Sequence, residues 1–167
     1  MNLNCRPLQK IQISRYGHSH FKDGHYLFHN EEIPVSLHPP SMKGDHRVQF
    51  LKMEDIESVV AYPETLEDVD LDELIGGYNL KKKTEWPDVV ERVCELGVPT
   101  TIITTERTNY NGVFVSADSE ECVFAIYKCS AMAYEGDLFI RTDDVVQMTV
   151  GLAYASHILW AMSTRRS

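Results

Sequence analysis

The most regular pattern of apolar and polar positions lies in the second half of the chain. Trp86-Pro87 places a proline at the first helical position, where its missing N–H costs nothing, and Gly97 with Pro99 ends the helix. The pattern predicts a helix near 87–96, with an apolar face made of Val89, Val90, Val93, Cys94 and Leu96.

Four segments rich in β-branched and aromatic residues follow this helix, and short polar turns separate them. They predict an antiparallel meander with strands at 100–105, 112–116, 121–129 and 134–141. Residues 143–162 carry two apolar stripes at helical spacing, and Asp143 and Asp144 suit a helix N-terminus. We therefore expect a long C-terminal helix near 143–162.

The first half of the chain has a different texture. Residues 1–53 are rich in histidine, proline and aromatics and predict short strands, including a β-hairpin in which Pro34 favours an edge strand. Residues 54–84 form an acidic middle, and residues 85–167 form a helix–sheet–helix core. We expect one α+β domain over 1–167, with no internal repeat.

Composition and charge limit the partners. The chain has 167 residues and a formal net charge of −9, which disfavours a nucleic acid or an anionic membrane as partner. We see no secretion signal at the N-terminus and no uninterrupted apolar run of 18 residues. The cysteines form no CxxC pair, so we expect reduced thiols and a cytoplasmic location.

Six of the seven histidines lie between His18 and His46. In extended chain His18 and His20 share one face, as do His25 and His29, and two imidazoles on one face can share a zinc-like divalent transition metal. The spacing matches no familiar zinc signature, however. A partly exposed loop and hairpin with hydrogen-bonded imidazoles, or a pH-sensitive role, are the alternatives, and we expect no other cofactor.

Two polar segments are candidate partner-binding surfaces. Between 54 and 73 the chain has nine carboxylates and no Lys or Arg, which suits docking of a basic protein through Glu67, Asp68, Asp70 and Asp72. A loop tip between two strands carries Glu106, Arg107, Asn109 and Tyr110. The alternatives are a solvated acidic surface and an ordinary hairpin end.

The chain contains no G-x-S-x-G elbow, Walker loop or G-x-G-x-x-G fingerprint. We therefore expect a non-enzymatic protein-interaction module, an acidic regulator, inhibitor or assembly component that acts through a protein partner. One alternative is a metal-dependent hydrolase that uses His18, His20, His25 and His29. Another is a structural subunit of a larger particle. The oligomeric state stays open.

Overall fold

A computed structural model describes residues 4–17, 22–29, 34–38, 47–67, 85–128 and 133–151. These residues form one antiparallel sheet of ten strands, in the order β5-β1-β2-β3-β4-β10-β6-β7-β8-β9, with one α-helix. The strands are β1 (Gln9–Arg15), β2 (Lys22–His29), β3 (Pro34–His38), β4 (Arg47–Leu51), β5 (Ile56–Thr65), β6 (Thr100–Thr104), β7 (Asn109–Ala117), β8 (Glu121–Lys128), β9 (Ala133–Arg141) and β10 (Val145–Gly151). Within the described ranges, no helix has the length and apolarity that a membrane span requires.

The predicted helix near 87–96 is confirmed as α1 (Trp86–Leu96). Glu85 and Asp88 form a capping box at its start, and Gly97 ends it in the left-handed conformation with φ of 62°. Its buried face packs on the sheet, where the indole Nε1 of Trp86 donates a 2.8 Å hydrogen bond to the carbonyl of Val145. The meander predicted after the helix is also confirmed, as β6 to β9.

The long C-terminal helix near 143–162 is wrong over its described part. Thr142–Asp144 form a single 3₁₀ turn, and β10 then runs between β4 and β6. A strand buried on both faces has a continuous apolar sequence, which periodicity alone does not distinguish from a buried helix. Residues 152–162 lie outside the described residues.

The N-terminal half is more than a histidine-rich hairpin beside the core. Its four strands β1 to β4 belong to the same sheet, and β3 lies between β2 and β4 rather than at an edge. Pro34 is tolerated there because it is the first residue of its strand, a position at which a missing N–H breaks little pairing. The acidic middle, which we expected to be surface, begins with the long edge strand β5.

The sheet consists of two equivalent five-stranded units, so the expectation of no internal repeat is also wrong. We call β1–β5 the N-unit and β6–β10 the C-unit. In each unit a meander of four strands leads through a 3₁₀ turn, Met53–Asp55 or Thr142–Asp144, to a fifth strand that pairs with the first. The strand order within each unit is therefore fifth, first, second, third, fourth.

The strand registers of the two units coincide. Ile13 pairs with Val59, and Ile102 pairs with Met148; each residue of the second pair lies 89 positions after its counterpart. The irregularity between Tyr26 and Phe28 in β2 recurs, 88 positions on, between Phe114 and Ser116 in β7. Conserved bulges fix register, so this agreement marks structural duplication. The equivalent residues that share an identity include Gly24 with Gly112, Val35 with Val123, Phe50 with Phe139 and Asp55 with Asp144.

The units join edge to edge, since the fourth strand of the N-unit, β4, pairs with the fifth strand of the C-unit, β10. We call this contact the junction. It draws Val48 and Phe50 of β4 into the core of the C-unit, beside Trp86, Ile102 and Met148. The N-unit has its own smaller core, made of Ile11, Ile13, Tyr26, Leu51 and Ile56.

Candidate functional site

The free edge of the C-unit carries the most exposed large apolar side chain among the described residues. Phe139 of β9 is 78% exposed. In the described part of the chain β9 pairs with β8 alone, so the backbone groups on its other side lack a strand partner. An edge strand with exposed apolar side chains is a template for pairing with another chain.

A groove of about 500 Å³ lies beside Phe139, where β7, β8 and β9 approach the turn after Ala117. Val123, directly opposite Phe139 on β8, lies in its wall, and Glu121 and Arg141 form a charged pair of neighbours at one end. Its full lining is Ser116, Ala117, Asp118, Glu121, Cys122, Val123, Phe139, Ile140 and Arg141. Its lining mixes apolar side chains with charged ones of both signs, as the surfaces of non-obligate protein interfaces do.

The turn beside the groove is held by its own hydrogen bonds. The Asp118 carboxylate accepts backbone N–H groups of Glu120 and Glu121, both at 2.8 Å, and these bonds lower its pKa. The hydroxyl of Thr142 donates to the carbonyl of Asp118 at 2.8 Å. The backbone of the groove is thus fixed before any partner arrives, which lowers the entropy lost on binding.

The groove also contains a cysteine, Cys122, but its thiol is not activated. Burial raises the pKa of Cys122 to about 11, although a hydrogen bond with Thr142 acts in the opposite direction. The thiol is therefore protonated at neutral pH, whereas a nucleophilic cysteine needs its thiolate. The residues of the groove suit binding rather than covalent chemistry.

At the junction, β4, the strand equivalent to β9, is covered by β10. Phe50 stands at the position in β4 that Phe139 holds in β9, and it is only 1% exposed because it packs into the C-unit core. It lies directly opposite Met148 of β10. The same residue type at the same place is therefore buried at one edge and exposed at the other.

Polar contacts at the junction fix how the two units meet. The buried guanidinium of Arg15 donates to the Gln147 side-chain oxygen at 2.6 Å, and Gln147 donates in turn to Gln49 at 3.3 Å. Arg107 forms an ion pair with the buried Asp55, with 2.6 Å between Nη1 and Oδ1. Each contact joins one unit to the other.

The residues of the predicted loop site 106–110 do not form one surface. Glu106 and Asn109 are exposed, whereas Tyr110 packs against the C-unit core. Arg107 adopts a left-handed backbone with φ of 66° and turns to Asp55 across the junction. The arginine of this loop thus holds the units together.

The predicted metal ligands are placed only in part. His25 and His29 both lie in β2, as the strand interpretation required, and His18 and His20 lie outside the described residues. Burial lowers the pKa of His25, and the neighbouring Lys10 lowers it further, whereas Glu64 raises it. Among the described residues, no group of three His, Cys, Asp or Glu side chains is placed to hold a metal ion.

The predicted acidic site is described only at its start. Glu67 is exposed after the end of β5, and Asp68, Asp70 and Asp72 lie outside the described residues. Docking of a basic partner on this segment stays a prediction.

No protein-family model matches this chain, and no curated protein is significantly similar to it in sequence.

Sequence reasoning missed Phe139 as a site residue, although it identified the strand. The sequence carried no signal for it, since Leu138, Phe139 and Ile140 are all apolar; the structure shows that Leu138 and Ile140 pack toward the C-unit core, and side chains alternate along a strand. Phe139, between them, had to face away from that core.

Proposed function

We propose that this protein is a non-enzymatic interaction module that serves as an assembly component and docks a protein partner at the free β9 edge. The observation that carries the proposal is Phe139, 78% exposed on an edge strand. A partner strand added beside β9 gains main-chain hydrogen bonds from the edge and apolar contact from the aromatic ring. Central aromatic side chains of this kind supply much of the affinity of protein interfaces.

The charges around the edge favour a protein partner. Arg141, Glu121 and Asp118 surround the groove, so both signs of charge are present at its rim. The net charge of −9 opposes a polyanionic partner such as nucleic acid. The free thiols of Cys5, Cys94 and Cys122 favour a reducing location, and we propose the cytoplasm.

Comparative affinity capture from cells that express the full chain tests this function. Wild-type protein is compared with Phe139→Ser and with the control Val115→Ser, which removes another exposed apolar side chain (59% exposed) from β7, two strands away from β9. We expect a stoichiometric protein partner that wild type and the control retain and that Phe139→Ser loses at least tenfold. Equal recovery by all three proteins, or no stoichiometric partner, contradicts the proposal.

A further inference from the structure

In the described part of the chain, the two outer strands of the sheet are equivalent to the two strands that pair at the junction. At the junction, the fourth strand of one unit pairs with the fifth strand of the other. At the ends of the described sheet, β9 is the fourth strand of the C-unit and β5 is the fifth strand of the N-unit. The chain therefore carries both halves of its own junction a second time, one half at each end.

From this duplication we infer that a second copy of this chain pairs its β5 with β9, head to tail, and repeats the junction between molecules. The inference rests on the proposed function and names the partner. The contact is heterologous, since the two surfaces differ, so it propagates from copy to copy and ends only by closing a ring.

The junction supplies the register of the new contact. At the junction, Phe50 lies opposite Met148 and Gln49 lies opposite Thr149. The equivalent residues are 89 positions later on β9 and 89 positions earlier on β5. They place Phe139 opposite Val59 and Leu138 opposite Val60. Val60 is 46% exposed, so the contact covers exposed apolar surface on both strands. Pro63, the residue of β5 that cannot donate to a partner strand, lies beyond this register.

Charge complementarity favours the same pairing. At the junction, the Lys52 backbone N–H donates to Val146 at 2.9 Å, and its ammonium lies 3.1 Å from the Asp143 carbonyl and 3.6 Å from Oδ1. The equivalent residues at the free edges are Arg141 on β9 and, on β5 and its 3₁₀ turn, Glu57 and Glu54. All three are exposed, and a second copy places the arginine beside two carboxylates.

Cysteine cross-linking between full-length chains tests the pairing. Directly opposed residues in an antiparallel pair have Cα atoms about 4.5–5.5 Å apart, within the range of about 4.4–6.8 Å that a disulfide spans. We expect a 1:1 mixture of Val60→Cys and Leu138→Cys chains to give a disulfide-linked dimer on mild oxidation. Neither variant alone should give more dimer than oxidised wild type, whose native cysteines set the background.

Two further variants define register and direction. In the register control, Val60→Cys chains are mixed with Ile140→Cys chains, since Ile140 lies two residues after Leu138 on β9. This mixture should give at least fivefold less dimer than the mixture of Val60→Cys and Leu138→Cys chains. A chain that carries both Val60→Cys and Leu138→Cys should give a ladder of multimers, because a head-to-tail contact propagates. Thermal unfolding of each variant confirms that it is folded.

The outcomes separate this inference from the proposed function. Equal dimer in the two mixtures, dimer from Val60→Cys alone, or no dimer above background overturns head-to-tail pairing of copies. If a different protein is nevertheless captured through Phe139, the proposed function stands and only the second copy is excluded as partner. Absence of both results removes both proposals.

Discussion

Phe50 and Phe139 occupy equivalent positions in the two five-stranded units, and one is buried at 1% exposure while the other is 78% exposed. The difference arises from their neighbours, since β10 lies beside β4 and the described residues place no strand on the outer side of β9. The same position in the repeat therefore places a phenylalanine in the core at the junction and leaves one exposed to solvent at the β9 edge.

Alanine at these two positions should have very different effects on stability. Phe50→Ala removes a ring from the core and should lower the free energy of unfolding by about 3–5 kcal/mol. Phe139→Ala should change the free energy of unfolding of the monomer by no more than about 0.5 kcal/mol, because the exposed ring makes little buried contact. Urea denaturation of both variants at low micromolar concentration measures the difference, and equal losses would refute the assignment of the two environments.

The buried Arg15–Gln147 hydrogen bond should contribute more to the free energy of unfolding than the adjacent hydrogen bond between the neutral amides of Gln147 and Gln49. Gln147→Leu leaves the Arg15 guanidinium without its 2.6 Å acceptor and should cost about 2–3 kcal/mol, as for bonds to charged groups. The matched control is Gln49→Leu, which removes only the 3.3 Å bond between two amides and should cost about 1 kcal/mol or less. Denaturant unfolding decides, and a control variant as unstable as Gln147→Leu would show that the arginine does not depend on this bond.

Close strand approach makes Gly112 hard to replace. A Cβ atom there would lie 1.8 Å from the carbonyl oxygen of Ala125, so β7 and β8 would have to separate. We expect Gly112→Ala to cost about 3 kcal/mol or more through overpacking. Gly97→Ala meets no atom within 4 Å and should cost about 1–2 kcal/mol, the strain of its left-handed backbone. Thermal unfolding that ranks Gly97→Ala as the worse variant would contradict the tight approach.

His25 should make the fold less stable in mild acid. Burial, and then Lys10, lower its pKa in the folded chain, whereas Glu64 acts in the opposite direction. Its Nδ1 is buried and makes no hydrogen bond to the described residues. Since the unfolded chain then takes up the proton more readily, stability is lost as the pH falls below about 6.5.

The measurement is the free energy of unfolding at pH 7.5 and pH 5.0 for wild type and His25→Gln. The variant should lose less stability than wild type over this interval, because its other titrating groups are unchanged. An equal loss in both proteins would mean that His25 titrates in the folded chain as it does in the unfolded one.

Local signals in the sequence predicted the elements they specify directly. Pro87 and Gly97 fixed the helix, and the β-branched runs fixed the meander, because these residues act through their own backbone preferences. The same local reasoning failed for Val145–Gly151, where an apolar run suits a central strand and a helix equally well. What decides is pairing with β4, which lies almost one hundred residues earlier in the chain.

The duplication could not be read from the sequence because so few residues carry it. Equivalent positions share backbone registers, yet identities are scattered, as at Gly24 and Gly112. Those glycines stand where the second strand of each unit lies opposite Ile11 or Thr100 of the first. Most other positions need only an apolar side chain of suitable size, so the fold is preserved while the residues change. The candidate site was missed for the same reason, since Phe139 gains its meaning from its equivalence to Phe50.

Sedimentation velocity of the full chain tests the central claim, that the junction contact recurs between molecules, most directly. Over a range of micromolar concentrations we predict that wild type and Val115→Ser shift to masses well above that of one chain, 19.1 kDa. Phe139→Ser should remain near the monomer mass at every concentration. A wild-type protein that stays at the monomer mass throughout, or a Phe139→Ser variant that assembles as wild type does, would contradict it.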